Sequence, residues 1–193
     1  MVVVMSESIG VWLSDVMSAD DLARHAAGRS LGVDACQVAL GREPAGRPYV
    51  VGAPGLHLTI SHCRGLAAVA VARHGPVGID IEQIRPLPAA ELARRWFSGP
   101  EADWVAAHPD HFLPLWTQKE AVGKALGIGL RQGGLHRSMP LPPAAALTAT
   151  VAGRPTMAVG GWIQGRVVIG LACDAVGARA APTAVMVVSE HPW

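Results

Sequence analysis

Val77-Gly78-Ile79-Asp80-Ile81-Glu82 alternates with a period of two, the mark of a strand that shows different residues to its two faces. Ile79 and Ile81 fall on one face, Asp80 and Glu82 on the other. Two carboxylates side by side repel, and both charge repulsion and desolvation oppose their ionisation unless a cation, a proton or an arginine compensates. Oxygen donors of this kind suit Mg²⁺. Arg85, three residues further on, is the plain alternative partner on a solvated strand end.

Upstream, Gly75-Pro76 punctuates the chain and sets a lobe boundary. Before it, residues 56–60 and 66–72 read as an antiparallel pair of strands, with Ser61-His62-Cys63-Arg64-Gly65 as the turn between them. His62 in such a turn is either solvent-facing or a donor to a phosphate oxygen, with the Ser61 hydroxyl beside it. No GxSxG elbow occurs, so the Ser-His pair is not read as a hydrolase nucleophile. Residues 9–13 read as a strand, and Ser18 caps a helix over 19–27 with Asp20 and Asp21 in its first turn and Gly28 or Gly32 as its stop. Ile9-Gly10-Val11 faintly echoes Val77-Gly78-Ile79.

Downstream, Ser98-Gly99-Pro100-Glu101 offers a capping box. A helix follows over residues 111–126, with Pro114 in its first turn and Gly127 as its stop. Trp116, Glu120 and Lys124 lie four apart on one face of it. A surface ion pair explains Glu120 and Lys124 adequately; the chemical reading gives Glu120 to a metal or to proton abstraction and Lys124 to a phosphate. After a proline-rich loop at 139–143, residues 146–151, 157–164, 167–173 and 184–189 read as strands, so this lobe is a helix followed by an antiparallel sheet.

Composition narrows the classes. The chain has 193 residues, half of them apolar, enough for one compact domain or two small lobes sharing a core. With 16 Lys and Arg against 15 Asp and Glu, it lacks the basic footprint of a nucleic-acid binder. No apolar run approaches the roughly 18 residues of a membrane span, and the apolar residues 1–5 lack a basic leader, so the expected setting is cytoplasmic, away from membrane and nucleic acid. Cys36, Cys63 and Cys173 have neither disulfide-framework nor zinc spacing and are expected as buried thiols.

In order and spacing, Leu58-Thr59-Ile60-Ser61-His62, Val77 to Glu82 and Trp116-Thr117-Gln118-Lys119-Glu120-Ala121-Val122-Gly123-Lys124 resemble the signature segments of the Sfp-like phosphopantetheinyl transferases. Phe97-Ser98, Gly127-Ile128-Gly129-Leu130 and Gly46-Arg47-Pro48 match as well. The resemblance implies an α+β fold of two pseudo-symmetric lobes, each a small antiparallel sheet with a long helix: residues 1–75 as the coenzyme A-binding lobe and 76–193 as the Mg²⁺-binding, catalytic one. It implies that Asp80, Glu82 and Glu120 hold Mg²⁺, that Glu120 takes the proton of a carrier-protein serine, and that Lys124 contacts the pyrophosphate. Arg47, Ser61, His62, Lys119 and Lys124 would bind coenzyme A, with Arg47 and Ser61 toward the nucleotide. The implied reaction moves the 4′-phosphopantetheine arm of coenzyme A to an apo acyl or peptidyl carrier protein, releasing adenosine 3′,5′-bisphosphate.

Family members with an arginine-rich helix before the GKP-type segment have no clear counterpart here, where Arg24 and Arg29 are the only basic residues on or ending the first helix. The groups that hold the 3′-phosphate are therefore open. Residues 85–97, with Arg94, Arg95, Trp96 and Phe97, are a candidate docking surface for the carrier, although both aromatics also suit a core. With both lobes in one chain, a monomer is expected. A different Mg²⁺ enzyme acting on a nucleotide diphosphate, or a noncatalytic module that binds coenzyme A or a carrier, are the competing readings.

Overall fold

The computed structural model describes residues 8–129, 134–147 and 149–174, together with the backbone of 183–188. The apolar start at residues 1–5 and Leu130 lie outside the described residues. In chain order the elements are β1 (Ser8–Ser14), α1 (Ala19–Leu31), β2 (Leu40–Arg42), β3 (Pro48–Val50), β4 (His57–Cys63), β5 (Leu66–Ala72), β6 (Val77–Gln83), α2 (Ala89–Trp96), α3 (Gly99–Ala107), α4 (Phe112–Ala125), β7 (Ala149–Val151), β8 (Arg154–Gln164), β9 (Val167–Asp174) and β10 (Thr183–Val188).

Strand alternation decides how these elements stack. Along β5, Ala67, Val69 and Val71 pack with Leu22, Ala23, Ala26 and Ala27 of α1, while Leu66, Ala68 and Ala70 face the second sheet. Along β6, Val77, Ile79 and Ile81 meet them there, joined by Ile169 and Leu171 of β9. Val168 and Ala172 of β9 point the other way, to α4. The layers therefore run helix, sheet, sheet, helix. Burying each of the large aliphatic side chains contributes about 1.5–3 kcal/mol to this arrangement.

The first sheet has the order β10-β1-β5-β4 and the second β6-β9-β8-β7, with β2 and β3 forming a separate pair. The run β1-β5-β4 in one sheet parallels β6-β9-β8 in the other, each helix-backed, so the architecture is the expected α+β fold of two similar halves. The echo between Ile9 and Val11 and between Val77 and Ile79 falls on matching strands, β1 and β6.

Two expectations need correction. The strand expected at residues 184–189 within the second sheet instead runs parallel to β1 in the first, with Ile9 opposite Ala184 and Leu13 opposite Val188. A division into residues 1–75 and 76–193 thus assigns β10 to the wrong sheet. The turn expected at Ser61 to Gly65 is shorter: β4 runs to Cys63, which pairs with Leu66, and only Arg64 and Gly65 turn the chain. Gly65, at φ 73°, supplies the left-handed backbone that this tight reversal needs. The polar residues before it belong to the strand.

Close approach of α4 to the second sheet fixes the site. At Gly78 a Cβ would lie 1.9 Å from the Ala121 carbonyl oxygen, and at Gly170 it would lie 2.3 Å from the Thr117 carbonyl carbon. Glycine at these positions lets the helix backbone rest on β6 and β9. Gly78→Ala is expected to lower stability by about 1–3 kcal/mol through this overpacking; an unchanged thermal midpoint would show that the contact is not tight.

The capping box holds: Ser98 and Glu101 exchange both cap bonds at the start of α3. Gly127 ends α4 with φ 71°, as expected of a helix stop. The thiols depart from expectation, since Cys36 is exposed, Cys63 half-buried and Cys173 buried. Burial pushes the Cys173 thiol up to about 11. Alkylation of the folded protein is expected to label Cys36 first and to spare Cys173 until unfolding; early labelling of Cys173 would contradict the packing of β9.

Candidate functional site

The carboxylates of β6 sit where the alternation puts them, on the face turned to α4. Asp80 is 7% exposed. Its Oδ1 accepts hydrogen bonds from Ser61 Oγ and from Lys124 Nζ, each at 2.9 Å, and Lys124 also donates to the Ile79 carbonyl at 2.9 Å. Burial pushes the Asp80 carboxyl up, against the opposing pull of Lys124 and the Ser61 bond. Glu82 is held by Arg85 at 2.7 Å, so the partner foreseen for a solvated strand end is present.

Glu120 comes to this cluster from α4. Burial, then the negative fields of Asp80 and Glu82, push its carboxyl up to about 7, with Lys124 pulling the other way. Three carboxylates therefore share one electrostatic neighbourhood with one ammonium inside it. They do not close into a ready-made cage: among the described residues no group of three His, Cys, Asp or Glu side chains is placed to hold a metal. The donor chemistry nonetheless fits a hard divalent cation, whose charge would relieve the repulsion that raises Glu120.

A cavity of about 340 Å³ opens beside the cluster, lined by Arg42, Gly46, Arg47, Pro48, Ile60, His62 and Lys124, with Gly127 and Gly129 at the end of α4. Its walls come from both halves of the chain. Along β4, Thr59, Ile60 and His62 line this cavity, while Thr59 and Ser61 also reach toward β6, accepting bonds from the Ile79 and Ile81 N–H groups at 3.5 and 3.3 Å. Arg47 spans the halves as well, donating to Glu43 and, at 3.4 Å, to the Ala125 carbonyl.

The structure thus sets Arg47, His62 and Lys124 around one cavity and, through Lys124, joins it to Asp80 and the neighbouring Glu82 and Glu120. Two expected ligand residues it places elsewhere. Ser61 is turned inward and joins the two sheets through Asp80 and Ile81, so its hydroxyl is taken up in positioning Asp80. Lys119 is fully buried on another side of α4, donating to both oxygens of Glu101 at 2.8 and 2.9 Å and to the Arg137 carbonyl, with its ammonium 4.9 Å from the Phe97 ring centre. Neighbours in a helix point about 100° apart, and Lys119 shares the stripe of Leu115 and Val122, both core residues. That spacing was the available signal.

The sequence match is now legible against this geometry. Residues 76–166, which carry Asp80, Glu82, Lys119, Glu120 and Lys124, match the family model described as the 4′-phosphopantetheinyl transferase superfamily. A 4′-phosphopantetheinyl transferase of Bacillus subtilis is 38% identical over 116 residues, covering 58% of this chain and 51% of that protein. Over these segments the chain is similar to the 4′-phosphopantetheinyl transferases. Sfp of Bacillus subtilis strain 168 is 33% identical over 116 residues, again 58% and 51% of the two chains, so the resemblance extends to the Sfp-like class. HetI, a 4′-phosphopantetheinyl transferase of Nostoc sp., is 36% identical over 118 residues, or 56% and 50%. The chain spans about half the length of the curated relatives it matches. No helix among its described residues is long and apolar enough to cross a membrane.

The candidate docking segment divides. Phe97 is buried and stacks on Phe112 with ring centres 5.2 Å apart, a core role. Arg94 and Arg95 are exposed, and Trp96 stays partly open with the Arg95 guanidinium 5.0 Å over its ring.

Proposed function

We propose that this protein is a 4′-phosphopantetheinyl transferase, moving the phosphopantetheine arm of coenzyme A to the serine of an apo acyl or peptidyl carrier protein. The observation that carries the reading is Lys124, which lines a cavity together with Arg42, Arg47 and His62 and is bonded to Asp80, whose field, with that of Glu82, reaches Glu120. Asp80, Glu82 and Glu120 would hold Mg²⁺, whose charge, when bound, would neutralise the pyrophosphate.

The chain's own residues supply the rest. Lys124, between Asp80 and the cavity, binds a pyrophosphate oxygen and steadies the leaving group. His62, which lines the same cavity from β4, donates to a phosphate, and Arg47 lies against the adenosine portion. Glu120, in the field of Asp80, Glu82 and Lys124, accepts the proton as the carrier serine oxygen bonds to phosphorus and the bond to the adenosine-bearing phosphate breaks, releasing adenosine 3′,5′-bisphosphate. Ser61 does not touch the ligand in this account; it fixes Asp80. Because both walls come from one chain, the enzyme works as a monomer, and the reading is of a cytoplasmic protein.

The test is incorporation of a fluorescently tagged coenzyme A arm into a panel of apo carriers, with and without a chelator. Labelling that needs both carrier and divalent cation supports the reading. Hydrolysis of coenzyme A without any labelled carrier would replace it with a nucleotide-diphosphate hydrolase.

A further inference from the structure

We propose that the open end of the core between the two sheets is a second binding site, for a small amphipathic monoanion whose carboxylate meets Arg64 and Arg166 and whose hydrocarbon body lies on Leu13, Leu66 and Val167.

The site follows from how the sheets end. Leu13 of β1 and Leu66 of β5 belong to the core packed between the sheets, with Cys63 and Val167 partly buried against it. Among the described residues that core does not close at this end: the same four side chains line a cavity of about 520 Å³. Pockets of this size enclose small organic molecules, and a concave apolar space with a few polar groups at its edge is the usual form of such a site. It is separate from the proposed transfer site. His62 lines the cavity that holds Lys124, its neighbour Cys63 lines this one, and the two linings have no residue in common.

The rim carries the charge. Two hairpins end here, β4 to β5 and β8 to β9, and each reverses in two residues, Arg64-Gly65 and Gly165-Arg166. Both glycines have positive φ, 73° and 58°, so each arginine stands in a tight turn. The turns hold corresponding places in the two halves, and each half thus brings one guanidinium to the same cavity. Among the described residues neither guanidinium has a hydrogen bond or an ion pair. Arg24, Arg42, Arg47 and Arg85, by contrast, are each held by a carboxylate.

Charge and shape together select the ligand. Asp15 lines the cavity with the two arginines, which leaves one net positive charge. Glu82, whose field reaches Cys63, is paired with Arg85, and burial pushes the Cys63 thiol up, so neither changes that balance. A monoanion matches it; a cation is repelled, and a phosphomonoester dianion is left half neutralised. A guanidinium fork donates two parallel bonds to a carboxylate. Leu13, Leu66 and Val167 give a hydrocarbon body a place out of water.

Octanoate, which joins one carboxylate to a short hydrocarbon chain, is the probe. Isothermal titration measures its affinity, and Cys63 reports its place through the rate of alkylation by iodoacetamide, read by peptide mass spectrometry. Octanoate is expected to bind about tenfold or more tighter than 1-octanol or acetate, and to slow labelling of Cys63 but not of Cys36. Replacing Arg64→Gln and Arg166→Gln together, at two exposed turn positions, is expected to weaken octanoate about tenfold or more while leaving 1-octanol within about twofold. Equal binding of octanoate and 1-octanol, or full octanoate affinity in the double variant, would overturn the proposal. So would an octanoate that bound without shielding Cys63, or one displaced competitively by coenzyme A, since either would put it elsewhere. None of these outcomes bears on the transferase reading.

Discussion

Glu120→Gln is expected to abolish transfer to the carrier while coenzyme A still binds. Glutamine keeps the shape and one oxygen donor but cannot accept the serine proton, so the loss is that of a general base, about 10²–10⁴-fold in turnover. The placement of Glu120 supports that role: it is carried on α4 into the neighbourhood of Asp80, Glu82 and Lys124. Binding should survive because Arg47, His62 and Lys124, which line the cavity, are untouched. Single-turnover rates paired with a coenzyme A titration separate the two effects. Near-normal turnover would remove Glu120 from proton transfer and leave it, at most, a cation ligand.

The largest effect on stability belongs to Lys119→Met. The Lys119–Glu101 pair is 0% and 2% exposed, and Glu101 also accepts bonds from the Ser98 N–H, the Ser98 hydroxyl and the Met139 N–H. One carboxylate thus ties the start of α3, the middle of α4 and the segment before β7. Removing the ammonium leaves that carboxylate buried without its counter-charge, at a cost of about 3–5 kcal/mol. For a chain of this size the thermal midpoint should fall by about 10 °C. Replacing Glu101 with leucine in the same protein should recover part of the loss, since a buried pair exchanged for apolar residues is often neutral. A midpoint shift of only a degree or two for Lys119→Met would mean that the pair is not the anchor described.

The contrast between Lys119 and Glu120 shows how far the sequence could be read. Signature motifs name residue types in a row, but a helix sends adjacent side chains in different directions. Glu120 and Lys124 share a face and reach the site; Lys119 belongs to the core stripe. The alternation of Val77 to Glu82 was readable because a strand's two faces are fixed by a period of two: Val77, Ile79 and Ile81 pack between the sheets, while Asp80, buried as well, is on the other face. Ser61 was not readable, because its polar neighbours resemble a turn and only the pairing of Cys63 with Leu66 shows that the strand continues past it. Its bond to Asp80 depends on two sheets meeting, which no local pattern encodes. The parallel return of β10 to β1 is likewise a long-range pairing. The place of Arg42 in the cavity was not readable for the same reason: between Gly41 and Glu43 it is an ordinary surface arginine, and only the fold sets it on one cavity with His62, Arg47 and Lys124.

The most direct measurement is intact-mass spectrometry of apo carrier proteins after incubation with coenzyme A, Mg²⁺ and this protein, run beside Asp80→Ala protein and a sample without Mg²⁺. A gain of one phosphopantetheine mass on a carrier, absent from both controls, is the predicted result. No gain on any carrier, from folded protein that binds coenzyme A, would contradict the transferase account and leave a binding module in its place.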